Sequence, residues 1–579
     1  MIGIHACRRR AALGTLALLL SGCGGGGSDG DVAAVPVPTA TPGPAPTPAP
    51  TPTPPAAAPC VTASTWQPWG TPGALRRWTP LDTDADAGRA DDPGRAAGAP
   101  FDARLVVAFG RDADFSRRTV VLEMADGCRR SFQAGSFAAG DIAEIDARTA
   151  EHPLAADTRS HAIDYQFGRA SAADVTAGRL GVYHTQHFSI WYGTDRTGFS
   201  YTHQAGRGAS WDDMLRDTGA WAEQVWLLNR HLLDAPLPYL ADAAPKRVNL
   251  YICGTGLPWV SGGDRGDCGA SASDAMWMSS TYLQPGSTTL IHEFSHVIST
   301  YTGGFRDRPS VGPAWESYAE WNSVSLSLNG GDQVSGYLAQ LEKGPTLSDL
   351  RYANWPWLVA LHEADATRPL WWRIWTDNLR EPGGRSREDQ MEAIVRLGQA
   401  SGAFPNGWRS FADFMGGFGA RLAAGDFQMG KALLDYARRV PATERYAALS
   451  PGSAAGDYRS PADRPLLQYG THLIRLAPAS GATSVAVRLT GDPQAAQSAW
   501  RFRIVAIDAA GRATYSTMGV VDEAGTASAE LPVVAGRRYV LAVTATPYVY
   551  QPLGWNGDTA FPTPTRFPYR VTIAGAVLG

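Results

Sequence analysis

The sequence predicts a multidomain α+β protein, and three observations carry that prediction. A central stretch alternates strand-like runs with long runs of helical periodicity. Beyond residue 451 the chain changes to short runs with period-two alternation between Gly and Asp turns. The first sixty residues differ again: a short apolar leader, then a tract of Gly, Pro, Thr and Ala. The expected divisions are a leader at 1–22, a linker at 23–60, a β-rich module at 61–180, a mixed-sheet and helical domain at 181–450, and an all-β sandwich at 451–579. The chain has 579 residues, 44% hydrophobic and 10% aromatic, enough for several packed cores. Net charge is −4 with acids and bases interspersed, so there is no basic footprint for nucleic acid.

In the leader, Arg8, Arg9 and Arg10 precede ten apolar residues, 11–20, a run too short to span a bilayer. Leu20-Ser21-Gly22-Cys23 then resembles a bacterial lipobox. That resemblance implies cleavage before Cys23, acylation of Cys23, and retention at the bacterial cell envelope through a lipid anchor, outside the cytoplasm. Residues 24–28 are a Gly/Ser tether. The Pro-rich residues 35–59 form an extended spacer of about 3 Å per residue, a stalk reaching several tens of ångströms.

Six cysteines are present. With Cys7 removed and Cys23 acylated, Cys60, Cys128, Cys253 and Cys268 remain, an even set that suggests two disulfides in an oxidising compartment. Of the three possible pairings Cys253–Cys268 and Cys60–Cys128 are favoured, the first closing a Gly-rich loop. No C-x-x-C pair exists, so a cysteine zinc site is not expected.

Between residues 61 and 180 the runs 104–109, 119–124 and 162–165 read as short strands. In the central region residues 187–192 and 247–252 read as strands, 211–233 as a long helix, and 274–283 as a third strand. His184 and His187, three apart on a strand, face opposite sides and read as structural or exposed. The tryptophans Trp355, Trp357, Trp371, Trp372 and Trp375 read as core.

Residues 288–301, TTLIHEFSHVISTY, then form a helix with Gly286, Ser287 or Thr288 as N-cap and Gly303-Gly304 as stop. Four-residue spacing puts His292 and His296 on one face, aimed at two corners of a tetrahedral zinc site. Glu293, beside them, can act as general base on a water. A second helix starts near Pro313 and carries Glu316, twenty positions after His296, with Glu320 one turn on.

At this point the chain resembles the gluzincin metallopeptidases. In the thermolysin-like members a Glu at this spacing is the third zinc ligand, and an Asp four residues beyond supports a zinc-binding His. The resemblance implies those roles for Glu316 and Glu320 and a zincin-like fold for the catalytic domain. Trp315 stands where Asn is usual, and Glu320 where Asp is usual, so the resemblance is to the active-site plan and not to the thermolysin family itself. The run HEFSHV followed by W-E-S-x-A-x-W is similar to uncharacterised bacterial secreted zincin-like domains, over roughly residues 183–375. The resemblance also implies an exposed edge strand that pairs with substrate, matched here by Ala275, Met276 and Trp277. His362, Tyr282, Tyr301 and Tyr318 are candidates for stabilising a transition state, and nothing in the sequence ranks them.

Helical periodicity continues at 389–397 and 427–438, and the runs 470–476, 484–489, 500–505, 539–543 and 569–573 make the C-terminal sandwich. The functional expectation is a monomeric zinc endopeptidase acting on protein or peptide substrates. The alternative is an inactive or non-peptidase surface lipoprotein that binds glycan or protein through its β-modules.

Overall fold

The computed structural model describes residues 73–80, 100–108, 119–124, 129–133, 137–148, 160–165, 170–196, 210–231, 233, 235–239, 242–259, 270–272, 274–283, 287–302, 311–327, 333–364, 366–382, 386–427, 430–509, 511–553 and 562–579. Its architecture is mixed α+β, with several sheets and a helical lobe. Cys23, Cys60, Cys128, Cys268, the lipobox and the Pro-rich tract lie outside the described residues, as do Gly303 and Gly304. Cys253 is disulfide-bonded.

The first sheet is antiparallel, with strands β1 (Arg76–Trp78), β2 (Phe101–Ala108), β3 (Thr119–Met124) and β4 (Arg129–Gln133) in chain order. Helix α1 (Ala139–Arg148) adds Ile145 to a core of Trp78, Leu105, Leu122 and Phe137. Residues 162–165 form no strand; Ala162 makes only an isolated parallel bridge to Lys246. After the short helix α2 (Ala172–Thr176), a second sheet is built from β5 (Gly181–His184), β6 (Phe188–Tyr192), β7 (Val248–Cys253), β8 (Ala270–Ala272) and β9 (Met276–Ser279). Their order is β5-β6-β7-β9-β8; β6, β7 and β9 run parallel, while β5 and β8 are antiparallel edges.

This order corrects one expectation. Met276 and Trp277 are not on an edge strand, because β9 pairs with β7 on one side and β8 on the other, and Ala275 and Met276 are fully buried. The apolar run around Met276 marks a strand covered on both flanks, a pattern that periodicity alone does not separate from an edge. The predicted strand is also shorter, since residues 280–282 turn into a 3₁₀ segment.

Helix α3 (Trp211–His231) crosses between β6 and β7, and α4 (Thr288–Tyr301) and α5 (Val311–Ser327) follow the sheet. The lobe continues through α6 (Val334–Leu338), α7 (Pro356–Glu363), α8 (Arg373–Thr376), α9 (Gln390–Ser401), α10 (Trp408–Leu422), α11 (Gly430–Arg439) and α12 (Ala442–Arg445). Helix α9 opens on a capping box between Asp389 and Glu392. Trp355, Trp357, Trp371 and Trp375 are core residues of this lobe.

The C-terminal strands are β10 (Ser450–Pro451), β11 (Asp457–Arg459), β12 (Thr471–Pro478), β13 (Ser484–Gly491), β14 (Ala499–Ile507), β15 (Ala513–Tyr515), β16 (Gly519–Asp522), β17 (Thr526–Pro532), β18 (Arg538–Ala545), β19 (Tyr569–Ala574) and β20 (Ala576–Leu578). They form two antiparallel sheets, β10-β11-β19-β13-β17 and β15-β14-β18-β12-β20, the latter with β16 on β14. Val487, Leu489 and Val571 of one sheet meet Phe502, Ile504 and Leu541 of the other in a shared core. The second sheet is buried on its outer face too, where Val540 and Ala542 join the core of the helical lobe. That double burial explains why β18 reads as an almost unbroken apolar run. Helix α10 reaches the sheet through Gly416 and Gly419, where a Cβ would collide with Arg501 and Thr544.

His472 is buried, its Nε2–H donating to the Arg464 carbonyl at 3.0 Å and its Nδ1 accepting from the Tyr569 hydroxyl at 2.9 Å. Both bonds use the neutral ring, and burial pushes its pKa down to about 4. The unfolded chain takes up a proton below about pH 6.5 that the folded chain refuses until about pH 4, so stability falls as pH drops through that window. The loss is on the order of 3 kcal/mol. Denaturant unfolding at pH 7 and pH 4.5 should show a larger drop for the wild type than for His472→Gln; equal drops would remove His472 as the cause.

Candidate metal centre

Helix α4 forms where the capping and periodicity place it. The Ser287 side chain accepts from the Leu290 N–H, and Leu290, Ile291, Phe294, Val297 and Ile298 bury one side against the sheet and lobe. His292 and His296 lie on the partly open side, each side chain 12% exposed. Helix α5 runs antiparallel to α4: Ser323 Oγ donates to the Thr288 carbonyl, Glu320 meets His292, and Glu316 meets His296.

The three expected ligands converge. His292 Nε2 lies 3.1 Å from Glu316 Oε2 and 3.1 Å from His296 Nε2, and His296 Nε2 lies 3.4 Å from Glu316 Oε2. Zinc with bonds of about 2.0–2.1 Å needs tetrahedral donors roughly 3.3 Å apart, so these separations fit one ion. His292, His296 and Glu316 are therefore a group that could hold a metal ion. Glu320 Oε1 is 3.1 Å from His292 Nδ1, a bond that fixes the ring and directs Nε2 toward the group.

The electrostatics follow from this geometry. Burial alone would lower the His292 pKa, but its bonds to the Glu316 and Glu320 carboxylates outweigh that and raise it to about 10. For Glu316 burial acts upward, and the two imidazoles overcome it and hold the carboxyl far below the usual carboxylate range. Burial raises the pKa of Glu293, which is 5% exposed and whose Oε2 meets no hydrogen-bond partner among the described residues. A buried carboxyl oxygen of that kind, beside a donor set that fits a cation, is suited to a water held at the ion.

Of the four residues considered for a transition-state role, two sit in the tryptophan core. Tyr318 packs against Trp371 and Trp375, and His362 against Trp321 and Trp371. Tyr301 makes a short contact with the Tyr239 hydroxyl, which also donates to Asp164. Tyr282 is 38% exposed, in the 3₁₀ segment after β9. An aromatic neighbour of the cluster is Tyr352, its ring stacked on His292 at 6.0 Å and close enough to Glu316 to feel its charge. Burial and the Glu316 charge push its pKa up to about 12, so it remains a donor. Tyr352 sits in a turn after a 3₁₀ segment, with no periodic or spaced motif to mark it in the sequence.

Of the two histidines set aside, His187 is buried, bonded to Glu223 at 2.7 Å and stacked on Trp226, while His184 is exposed. Comparison with curated proteins and with solved structures gives no match. Residues 212–579, from the start of α3 to the end of the sandwich, match a family model described as a family of unknown function (DUF6055). The candidate metal centre and the C-terminal sheets thus fall within one family unit, and the chain belongs to DUF6055.

Proposed function

We propose that this protein is a zinc-dependent endopeptidase acting on proteins outside the cytoplasm. One observation carries the proposal: two imidazole nitrogens and a carboxyl oxygen converge beside the buried carboxyl oxygen of Glu293, which has no partner among the described residues. His292, His296 and Glu316 would hold the ion, and Glu320 would keep the His292 ring in place. Zinc, when bound there, acidifies a water and polarises a carbonyl.

Glu293 takes one proton from the attacking water as its oxygen bonds to the peptide carbon. The carboxyl then returns that proton to the amine as the C–N bond breaks, so no covalent intermediate with the chain is needed. Tyr352 can offer its O–H to the charge that develops on the carbonyl oxygen. The open edge near the centre is β8, which pairs only with β9 among the described residues and lies against α4. A substrate strand added to Ala270–Ala272 would use main-chain bonds for affinity. The lipobox and stalk, if used as their sequence implies, would hold this activity at the envelope surface.

A peptide-library digest with the zinc-loaded protein, alongside a chelator control, tests the reading. Cleavage abolished by chelation and restored by zinc is the expected result; an intact library with zinc bound would reject the peptidase assignment. Tyr352→Phe should lower kcat about a hundredfold with zinc affinity unchanged. An unaltered kcat would remove the phenol from the mechanism.

A further inference from the structure

We infer that Asn322 is a positioning residue for the metal centre, a buried polar pin that sets the register of α4 against α5 and α3. The inference rests on the metal-binding reading above and adds residues that touch neither the ion nor the substrate. Asn322 is 1% exposed and donates both amide hydrogens across helices. One goes to Asn229 Oδ1 of α3 at 2.9 Å, the other to Ser295 Oγ of α4 at 2.5 Å. Asn229, itself fully buried, gives its own amide to the Val225 carbonyl at 2.9 Å, which fixes its oxygen toward Asn322. Ser295 Oγ donates to the Ile291 carbonyl at 3.2 Å, which leaves its lone pairs for Asn322. Every donor in the chain therefore has one direction.

The place of these bonds gives them their meaning. Ser295 precedes His296, and the carbonyl it engages belongs to the residue before His292. Asn322 lies two positions past Glu320 on the helix that carries Glu316. A slip of α5 by one residue along α4 would move the Glu316 carboxyl by about 1.5 Å and rotate it by about 100°. The apolar contacts of Phe294, Ile298 and Tyr318 do not forbid such a slip by themselves, because dispersion is non-directional. A two-donor amide between two fixed acceptors does forbid it, and buried Asn side chains are well attested as register devices. An apolar side chain at 322 would also escape the cost of the Asn322 Oδ1, which meets no donor among the described residues. The amide thus gives specificity of alignment where a leucine would give packing.

The test uses the full chain and Zn²⁺ alone, titrated against a competing chelating dye, with the melting midpoint of the metal-free protein measured in parallel. Asn229→Leu/Asn322→Leu removes donor and acceptor together and should keep a cooperative melt near the wild-type midpoint. Its zinc affinity should fall at least tenfold. Ser295→Ala, a smaller change to the same network, should lose several-fold with its melt intact. Thr218→Ala cuts the buried α3 bond to the Leu283 carbonyl, outside this network, and should leave affinity unchanged. Wild-type affinity in both network variants would overturn the inference while leaving the metal centre standing. Affinity losses that only track unfolding would overturn it in favour of a purely structural role. A wild-type chain that binds no zinc would defeat the metal reading itself, and Asn322 with it.

Discussion

Glu293→Gln should bind zinc as tightly as the wild type and hydrolyse peptides at least a thousandfold more slowly. The substitution keeps the volume and the buried seat of the side chain, which is 5% exposed, and removes only its capacity to take a proton. Glu293 does not join the donor set of His292, His296 and Glu316, so zinc content should not change. The measurements are metal content by atomic absorption and turnover of a peptide found in the library digest. Cleavage at the wild-type rate by the zinc-loaded variant would show that another group moves the proton.

Zinc affinity should rise about a hundredfold between pH 7 and pH 9, tenfold for each pH unit, and level off near pH 10. In the metal-free protein His292 is an imidazolium, donating Nε2–H to Glu316 and Nδ1–H to Glu320, with a pKa of about 10. Zinc needs the Nε2 lone pair, so binding below that pH expels one proton. The same shift acts oppositely on the metal-free fold. Its stabilising contribution is complete below about pH 6.5 and is lost as pH rises toward 10. Calorimetric titrations of zinc at pH 8 in buffers of different ionisation enthalpy should report release of about one proton per ion. Affinity that ignores pH over this range would mean that His292 is already neutral before zinc arrives.

Much of the candidate metal centre was legible because its information is local. The four-residue spacing of His292 and His296 needs only a helix, and that helix follows from its own apolar periodicity and the Ser287 cap. Glu316 was reachable only through resemblance, since twenty residues of spacing carry no geometry of their own. Tyr352 was not reachable, because the turn that carries it has no periodicity and its contact with His292 spans sixty residues of chain. The pairing of Met276 is hidden for a similar reason. Whether Met276 lies on an edge depends on β8, a three-residue strand too short to leave a pattern.

Helix α4, its two imidazoles and their neighbouring acid follow from the amino-acid order alone, because hydrogen bonding within a helix and its hydrophobic stripe are properties of near neighbours. The alignment of α4 against α5 follows from the tertiary structure: it brings Glu316 Oε2 within 3.1 and 3.4 Å of two rings on another helix and buries Glu293 beside them. Alignment between elements is set by packing and by buried polar bonds among residues distant in the chain, and no single stretch of sequence contains both partners.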